Sequence, residues 1–308
     1  MESAGGNRGG EGAMRLPLVY VVVLNWNRKD DTIECVGSLL EMDYPNFRIV
    51  VVDNGSDDGS VEALKARFPA LEVLVNSENL GYAAGNNVGI RFALQQGAEY
   101  VLILNNDTVV DQYLLTRLIE VGETNPQAGM LAPKIYLYGD KHRIASAGSK
   151  KRWFPPGRIS IIGLGREDSM VYDREQEVEY ASGCAMLVNR KVFEEVGMFD
   201  PTYFVYWEDY DFCKRVRKHG YKIIYVPTAR MWHKVSTSTQ GDSWVKWYHI
   251  AKSTVHFYRK NVKAWHLALP IYSVWVIMRE LVLGNWGAIR PYIAGILDSL
   301  RGERFPCA

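Results

Sequence analysis

Residues 16–28 read LPLVYVVVLNWNR, and the first nine of them decide the fold class. An unbroken apolar run rich in Val has no polar face to offer water, so it reads as a strand covered on both sides, as in parallel sheets. Parallel strands need crossovers, and helical patterns stand where crossovers should be. Helices are expected at 30–41, 60–67 and 84–96, separated by strands at 47–52, 71–75 and 100–104. This alternation over short connections predicts βαβ units in an α/β fold, a Rossmann-like, mostly parallel, doubly wound sheet.

Further along the rhythm breaks. Residues 111–123 read as a helix, and about 130–170 as a hairpin-rich insertion with Gly and Pro. Alternation returns with a strand at 179–189, a helix at 190–196, a helix near 209–219 and a last strand at 221–226. From Trp244 the pattern is helical, with a break near 284–287, and five of the nine tryptophans lie in this part.

Composition narrows the function. The 308 residues suffice for one large α/β domain and an appendage. Lys and Arg total 36 against 35 Asp and Glu, so the chain lacks the basic excess that a nucleic-acid binder uses against phosphates. The four cysteines, Cys35, Cys184, Cys213 and Cys307, show no CxxC, which argues against a disulfide framework or structural zinc and suits a reducing compartment. Residues 1–14 lack the apolar core of a signal peptide and read as a disordered tail, so a cytoplasmic location is expected. Residues 15–240 then form the α/β domain, and 241–308 a C-terminal helical extension.

In doubly wound sheets, ligands sit beyond the carboxyl ends of the strands. Here those ends carry NWNR (25–28), DNGSDDGS (53–60), NLGYAAGNN (79–87) and NND (105–107). One such ending is turn chemistry; four on one sheet edge make a site. Asp53 can accept the imide N–H of uracil or thymine. Gly81 and Gly85 would let backbone approach a ligand and open a helix toward it. Asp107 can give a hard cation its carboxylate, with Asn105 near ribose or metal-bound water.

Residues 199–212, FDPTYFVYWEDYDF, set four acids among aromatics. Glu208, Asp209 and Asp211 cannot share one helix face, because neighbours diverge by about 100°. One or two therefore point at the reaction, and an acid beside Trp207 in a dry cleft can act as general base. His233, 24 residues beyond Asp209 in MWH (231–233), is either structural or completes a metal site near Asp107.

Taken in order, VVVLNWNR, VVDNGSDDGS, NLGYAAGNN, LNNDT, SGCAMLVNR, FDPTYFVYWEDYDFCKRVRKHGY and MWHKVSTST resemble the family 2 glycosyltransferases of the GT-A fold, in the rhamnosyltransferase and galactofuranosyltransferase branch. The resemblance spans roughly residues 17–239. It implies a nucleoside diphosphate sugar site, dTDP- or UDP-linked. Asn25 and Asp53 hold the nucleoside, with Asn27, Asn79, Gly81, Gly85, Asn86, Asn105 and Asn106 around the donor. It implies Mg²⁺ or Mn²⁺ on Asp107 and His233, and Asp209 as the base of an inverting displacement. Ser182, Gly183, Cys184, Trp207 and Glu208 would shape the sugar and acceptor pocket. NND stands where the family commonly has Asp-x-Asp, so metal affinity without donor should be weak. The leading expectation is transfer of rhamnose from dTDP-rhamnose to a saccharide or lipid-linked saccharide, with UDP-linked hexose or galactofuranose as the alternative.

The stretch 265–282 is mostly apolar, but Pro270, Arg279 and Glu280 interrupt it, leaving a run too short to span a bilayer. Lys252, Arg259, Lys260 and Lys263 lie upstream among aromatics, which suits either a helix lying in the inner face of a membrane or one packing in an oligomer. Two rivals stand against the transferase. A sugar nucleotidyltransferase needs a Gly-rich basic loop that VLNWNRKD does not resemble, and a catalytically inactive nucleotide-sugar-binding module would not need Asp107, Asp209 and His233.

Overall fold

A computed structural model describes residues 16–234 and 243–302. The N-terminal tail at 1–14, the end of the MWHKVSTST motif and Cys307 lie outside these residues.

The first half follows the expected alternation: β1 (Val19–Asn25), α1 (Lys29–Leu40), β2 (Phe47–Asp53), α2 (Ser60–Arg67), β3 (Glu72–Val75), α3 (Gly81–Gln95) and β4 (Tyr100–Asn105). β1 lies between β2 and β4, parallel to both, and β3 extends the set beyond β2. Val19, Val21, Val22 and Val23 are fully buried, alternate valines facing opposite layers. That two-sided burial is why β1 is apolar without alternation.

Then come β5 (Thr108–Val110), α4 (Leu114–Thr124), β6 (Ala128–Leu137), β7 (Asp140–Ser146), β8 (Ser149–Lys151), β9 (Ile159–Ile161), β10 (Gln176–Glu177), β11 (Ala185–Asn189), α5 (Arg190–Val196), α6 (Glu208–Lys218) and β12 (Lys222–His233). The main sheet runs β10-β12-β6-β11-β4-β1-β2-β3, with β5 on β12 and β7 on β6. β11 is antiparallel to both neighbours, whereas β6 and β12 run parallel to each other.

Three expectations change here. β6 is a central strand of the main sheet, and the hairpin structure expected around it is made by its end with β7 and by the β8–β9 pair. Pro133 made β6 look like a turn, but Pro133 lies between the stretches that pair with β11 (Met130, Leu131) and with β7 (Ile135 onward), where a missing N–H costs nothing on that side. The strand expected at 179–189 starts only at Ala185, because 180–184 is a turn held by α6. The last strand does not stop at Val226: after an irregularity it runs on to His233.

Among the described residues after β12 stand three helices, α7 (Ser243–Asn261), α8 (Trp265–Val282) and α9 (Ile289–Arg301). No helix among the described residues is long and apolar enough to cross a membrane. α7 lies under the segment before α6: Trp207 stacks near Phe257 (ring centroids 4.5 Å) and Phe204 on His249 (5.0 Å), while Ser253 Oγ donates to the Val205 carbonyl (2.8 Å).

Candidate active site

The carboxyl ends of β1, β2 and β4 lie level, with Asn25 opposite Asp53 and Leu24 opposite Asn105. Asn25 and Asp53 are fully buried. A carboxylate only accepts, so Asn25 turns Nδ2 to Asp53 Oδ1 (2.7 Å) and keeps its oxygen for donors. Thr32 Oγ1 (2.7 Å) and Asn106 Nδ2 (3.2 Å) supply them. Asp53 Oδ2 accepts from Ser56 N (2.9 Å). Asn27, exposed and at φ 52°, accepts from Asp57 N (2.9 Å) and ties the loops after β1 and β2 together.

The 79–87 segment spends most of its polar groups on the chain itself, although the buried Asn86 Oδ1 has no partner among the described residues. Asn79 Oδ1 accepts from Asn54 Nδ2 (2.8 Å) and Gly81 N (2.9 Å), and the buried Asn86 donates to the Tyr82 carbonyl (2.9 Å). The room expected beside the two glycines for a ligand is taken by protein. A Cβ on Gly81 (φ 78°) would sit 2.4 Å from the Phe204 carbonyl oxygen, and one on Gly85 2.7 Å from Leu24 Cδ1.

His233 reaches Asp107 because β12 continues past Val226 and pairs antiparallel with β5, setting His233 opposite Thr108. His233 Nε2 lies 3.1 Å from Asp107 Oδ1, and Lys234 N donates to the Asp107 carbonyl (2.9 Å). Burial works against charge on His233, but Cys184 and Asp107 outweigh it and lift its pKa to about 11. Burial likewise opposes the charge on Asp107, yet the hydrogen bond and charge of His233 hold the carboxyl below its ordinary value. Among the described residues no three acids, histidines or cysteines converge on one point. The pair can give a cation one carboxylate and, on release of the His233 proton, one imidazole, leaving its other ligands to diphosphate and water.

On the far side, two consecutive non-glycine residues, Tyr206 (φ 70°) and Trp207 (φ 71°), turn the chain into α6. Such backbone costs on the order of 1–3 kcal/mol per residue, offset here by the packing of Trp207 on α7 and α8. The acids that follow diverge. Asp211, fully buried, anchors α7 through Lys260 Nζ (2.9 Å) and Asn261 Nδ2 (2.8 Å). Asp209 turns toward a cavity of about 550 Å³ and accepts from Tyr180 OH, Gly183 N (2.9 Å) and Tyr210 N (2.7 Å). Glu208 lines the same cavity, 5% exposed, and its Oε2 has no partner among the described residues. Burial raises both carboxyls, and the charge of Asp209 raises Glu208 further. Tyr180, Gly183 and Tyr210 all donate to Asp209, whereas Glu208 has only its own backbone N–H and feels the charge of Asp209, so Asp209 holds the charge and Glu208 the proton.

One turn connects the two sides. Gly183 N donates to Asp209, and the Gly183 carbonyl accepts from Tyr82 OH (2.5 Å). The Cys184 carbonyl accepts from Asn105 N (2.9 Å), its thiol acts on His233, and Ser182 Oγ accepts from Cys184 N (3.3 Å). The structure thus gathers Asp107, His233, Asp209, Glu208 and residues 182–184, with Asn25, Asp53 and Asn106 beneath. Sequence reading did not single out Thr32, Tyr82 and Tyr180, which hold the others in place; Tyr82 lies within NLGYAAGNN, whereas Thr32 and Tyr180 lie outside the quoted motifs.

A family model described as glycosyl transferase family 2 matches residues 20–197. The N-acetylglucosaminyl-diphospho-decaprenol L-rhamnosyltransferase of Mycobacterium tuberculosis is 28% identical over 79% of this chain and 83% of its own. The dTDP-rhamnosyl transferase RfbF of Shigella flexneri is 26% identical over 74% and 71%. A mannosyltransferase of Pyrobaculum calidifontis, solved with GDP-Man and Mn²⁺, superposes with TM-score 0.58 at 20% identity, over 96% of this chain and 78% of that one. The fold is GT-A, and the chain belongs to glycosyl transferase family 2.

Proposed function

We propose that this protein moves rhamnose from dTDP-rhamnose to a lipid-linked saccharide carrying a diphosphate, by one inverting displacement. The observation that carries the reading is the 182–184 turn, which joins the Asp209 carboxyl in its cavity to the Asp107–His233 pair. The two similar rhamnosyltransferases supply the donor and acceptor classes. Residues 15–240 form the transferase domain, and 241–308 the helical region that meets the acceptor.

In this reading Asn25, Asn27 and Asp53 form the nucleoside corner. Asp107 and His233 hold Mg²⁺ or Mn²⁺, which when bound offsets the charge of the leaving diphosphate. The acceptor hydroxyl lies against Asp209. Its oxygen forms a bond to the anomeric carbon as the bond to diphosphate breaks on the opposite face, and Asp209 takes the proton. Tyr180 OH and Gly183 N keep Asp209 ionised and aimed, and Trp207 and its aromatic neighbours keep water from that side. The protein would work at the inner face of the cell membrane.

Calorimetric titration of dTDP and UDP, each with Mg²⁺, Mn²⁺ or EDTA, tests the donor assignment. Tighter, metal-dependent binding of dTDP is expected; UDP preference would change the donor, and binding indifferent to EDTA would remove the metal. Asp209→Asn should abolish transfer and leave dTDP affinity intact, and surviving transfer would remove Asp209 as base.

A further inference from the structure

We propose that Arg158 and Arg279 form a subsite for the acceptor's diphosphate, at the α8 side of the cavity that holds Asp209. The inference rests on the transferase reading for its acceptor and adds where the anion sits.

The cavity of about 550 Å³ is lined by Asp209 and Glu208, by the aromatic rings of Trp207 and Tyr272, and by Trp275, Arg158 and Arg279. Both guanidiniums lie against one indole: Arg158 Cζ is 4.4 Å and Arg279 Cζ 5.1 Å from the Trp275 ring centroid. Two cations over one ring repel each other, and the protein compensates only one of them. Arg279 is paired with Glu280, which is itself held by Asn285 Nδ2 (3.0 Å). Arg158 makes no ion pair among the described residues, and it comes from the β8–β9 hairpin, a separate part of the chain from α8. A guanidinium stacked on an indole keeps its N–H edge available, and that edge matches phosphate oxygens.

The surroundings specify which anion. The donor's diphosphate belongs with Asp107 and His233, on the other side of the 182–184 turn. The aromatic rings between Asp209 and the arginines offer flat faces on which a sugar ring can lie. Beyond the arginines, α8 turns an apolar stripe outward: Ile271, Val274 and Met278 are exposed, each one residue before Tyr272, Trp275 and Arg279 and so about 100° round the helix from them. Base, sugar-sized aromatic floor, cations and apolar surface thus match, in order, the hydroxyl, saccharide, diphosphate and lipid of one acceptor molecule.

Arg158 is the residue to change, because Arg279→Ala would strand the buried Glu280. Two measurements separate this subsite from the reading it rests on. Calorimetric binding of farnesyl diphosphate and of farnesol needs neither donor nor turnover. Farnesyl diphosphate should bind more tightly, and Arg158→Ala should weaken it about tenfold or more, the scale of a charge-assisted pair, while Arg158→Lys retains part. Rhamnosyl transfer is then compared on N-acetylglucosaminyl diphosphate farnesol and on the octyl glycoside of the same sugar. In the native protein KM should favour the diphosphate acceptor, and Arg158→Ala should collapse that preference with dTDP affinity preserved. Equal loss on both acceptors, or farnesyl diphosphate binding indifferent to Arg158, overturns the subsite. Arg158-dependent binding without transfer from any nucleotide sugar would instead uphold the subsite and remove the transferase assignment.

Discussion

At the scale of single residues, hydrogen-bond direction explains the departure from an all-acid motif. Asp53 can only accept, so Asn25 must show it nitrogen and turn oxygen toward residue 106. Residue 106 must then donate, which Asn does and Asp does not. Asn106→Asp should cost about 1–3 kcal/mol, the penalty for facing buried acceptors with each other, and should weaken dTDP binding. An unchanged melting temperature would refute the chain of directions. The acid pair makes a second claim. Glu208 has its folded pKa raised, so the native state binds the proton more tightly than the unfolded chain, and stability falls as pH rises from the ordinary carboxyl range through the raised value. Glu208→Gln should therefore melt higher than the native protein at pH 8, by a margin that shrinks toward pH 4. A margin independent of pH would mean that Glu208 is not protonated by its surroundings. NND and WED were legible as motifs, but which way each amide points follows from contacts between residues 28 and 81 positions apart.

At the scale of elements, the parallel half was readable because two-sided burial leaves an unmistakable apolar signature in β1, β2 and β4. β6 and the end of β12 were not, since Pro133 and Pro227 are breakers in any local reading and only the neighbouring strands reveal that they sit at gaps or irregularities. The site shows the same division. Acids and glycines were visible, but the partner of Gly81 was not: it is Phe204, brought there by the aromatic loop. Gly81→Ala would combine a left-handed backbone with a Cβ 2.4 Å from a carbonyl oxygen. A loss of at least ~2 kcal/mol is expected, with transfer falling further than dTDP affinity, because the displaced loop leads into Asp209. Equal losses in both, read from paired kinetics and calorimetry, would disconnect that loop from the base.

At the scale of the whole molecule, the C-terminal helices are part of the site's wall. Truncation before Trp265 would remove Tyr272, whose ring lies 5.8 Å from that of Trp207, and so could not report on membrane contact alone. Paired substitution Val274→Glu and Met278→Glu on the exposed stripe is the cleaner probe. Co-sedimentation with anionic vesicles should fall several-fold while dTDP binding holds. Unaltered sedimentation would leave the stripe without a lipid role, and a shift from dimer to monomer in gel filtration would make it a subunit contact instead.

The corner proposed for the nucleoside is built within the first 110 residues, whereas the Asp209 cavity is lined by residues from 158 onward. On the proposed function, what the protein takes and what it gives to are thus written in different stretches of one chain. A chimaera keeping the front half of this protein and the back half of a relative should inherit its acceptor from the relative. The splice must travel with its wedge, because Trp207 is seated among Phe257, Tyr258 and Tyr272; a graft that parts the aromatic loop from its helices would part the base from its mounting.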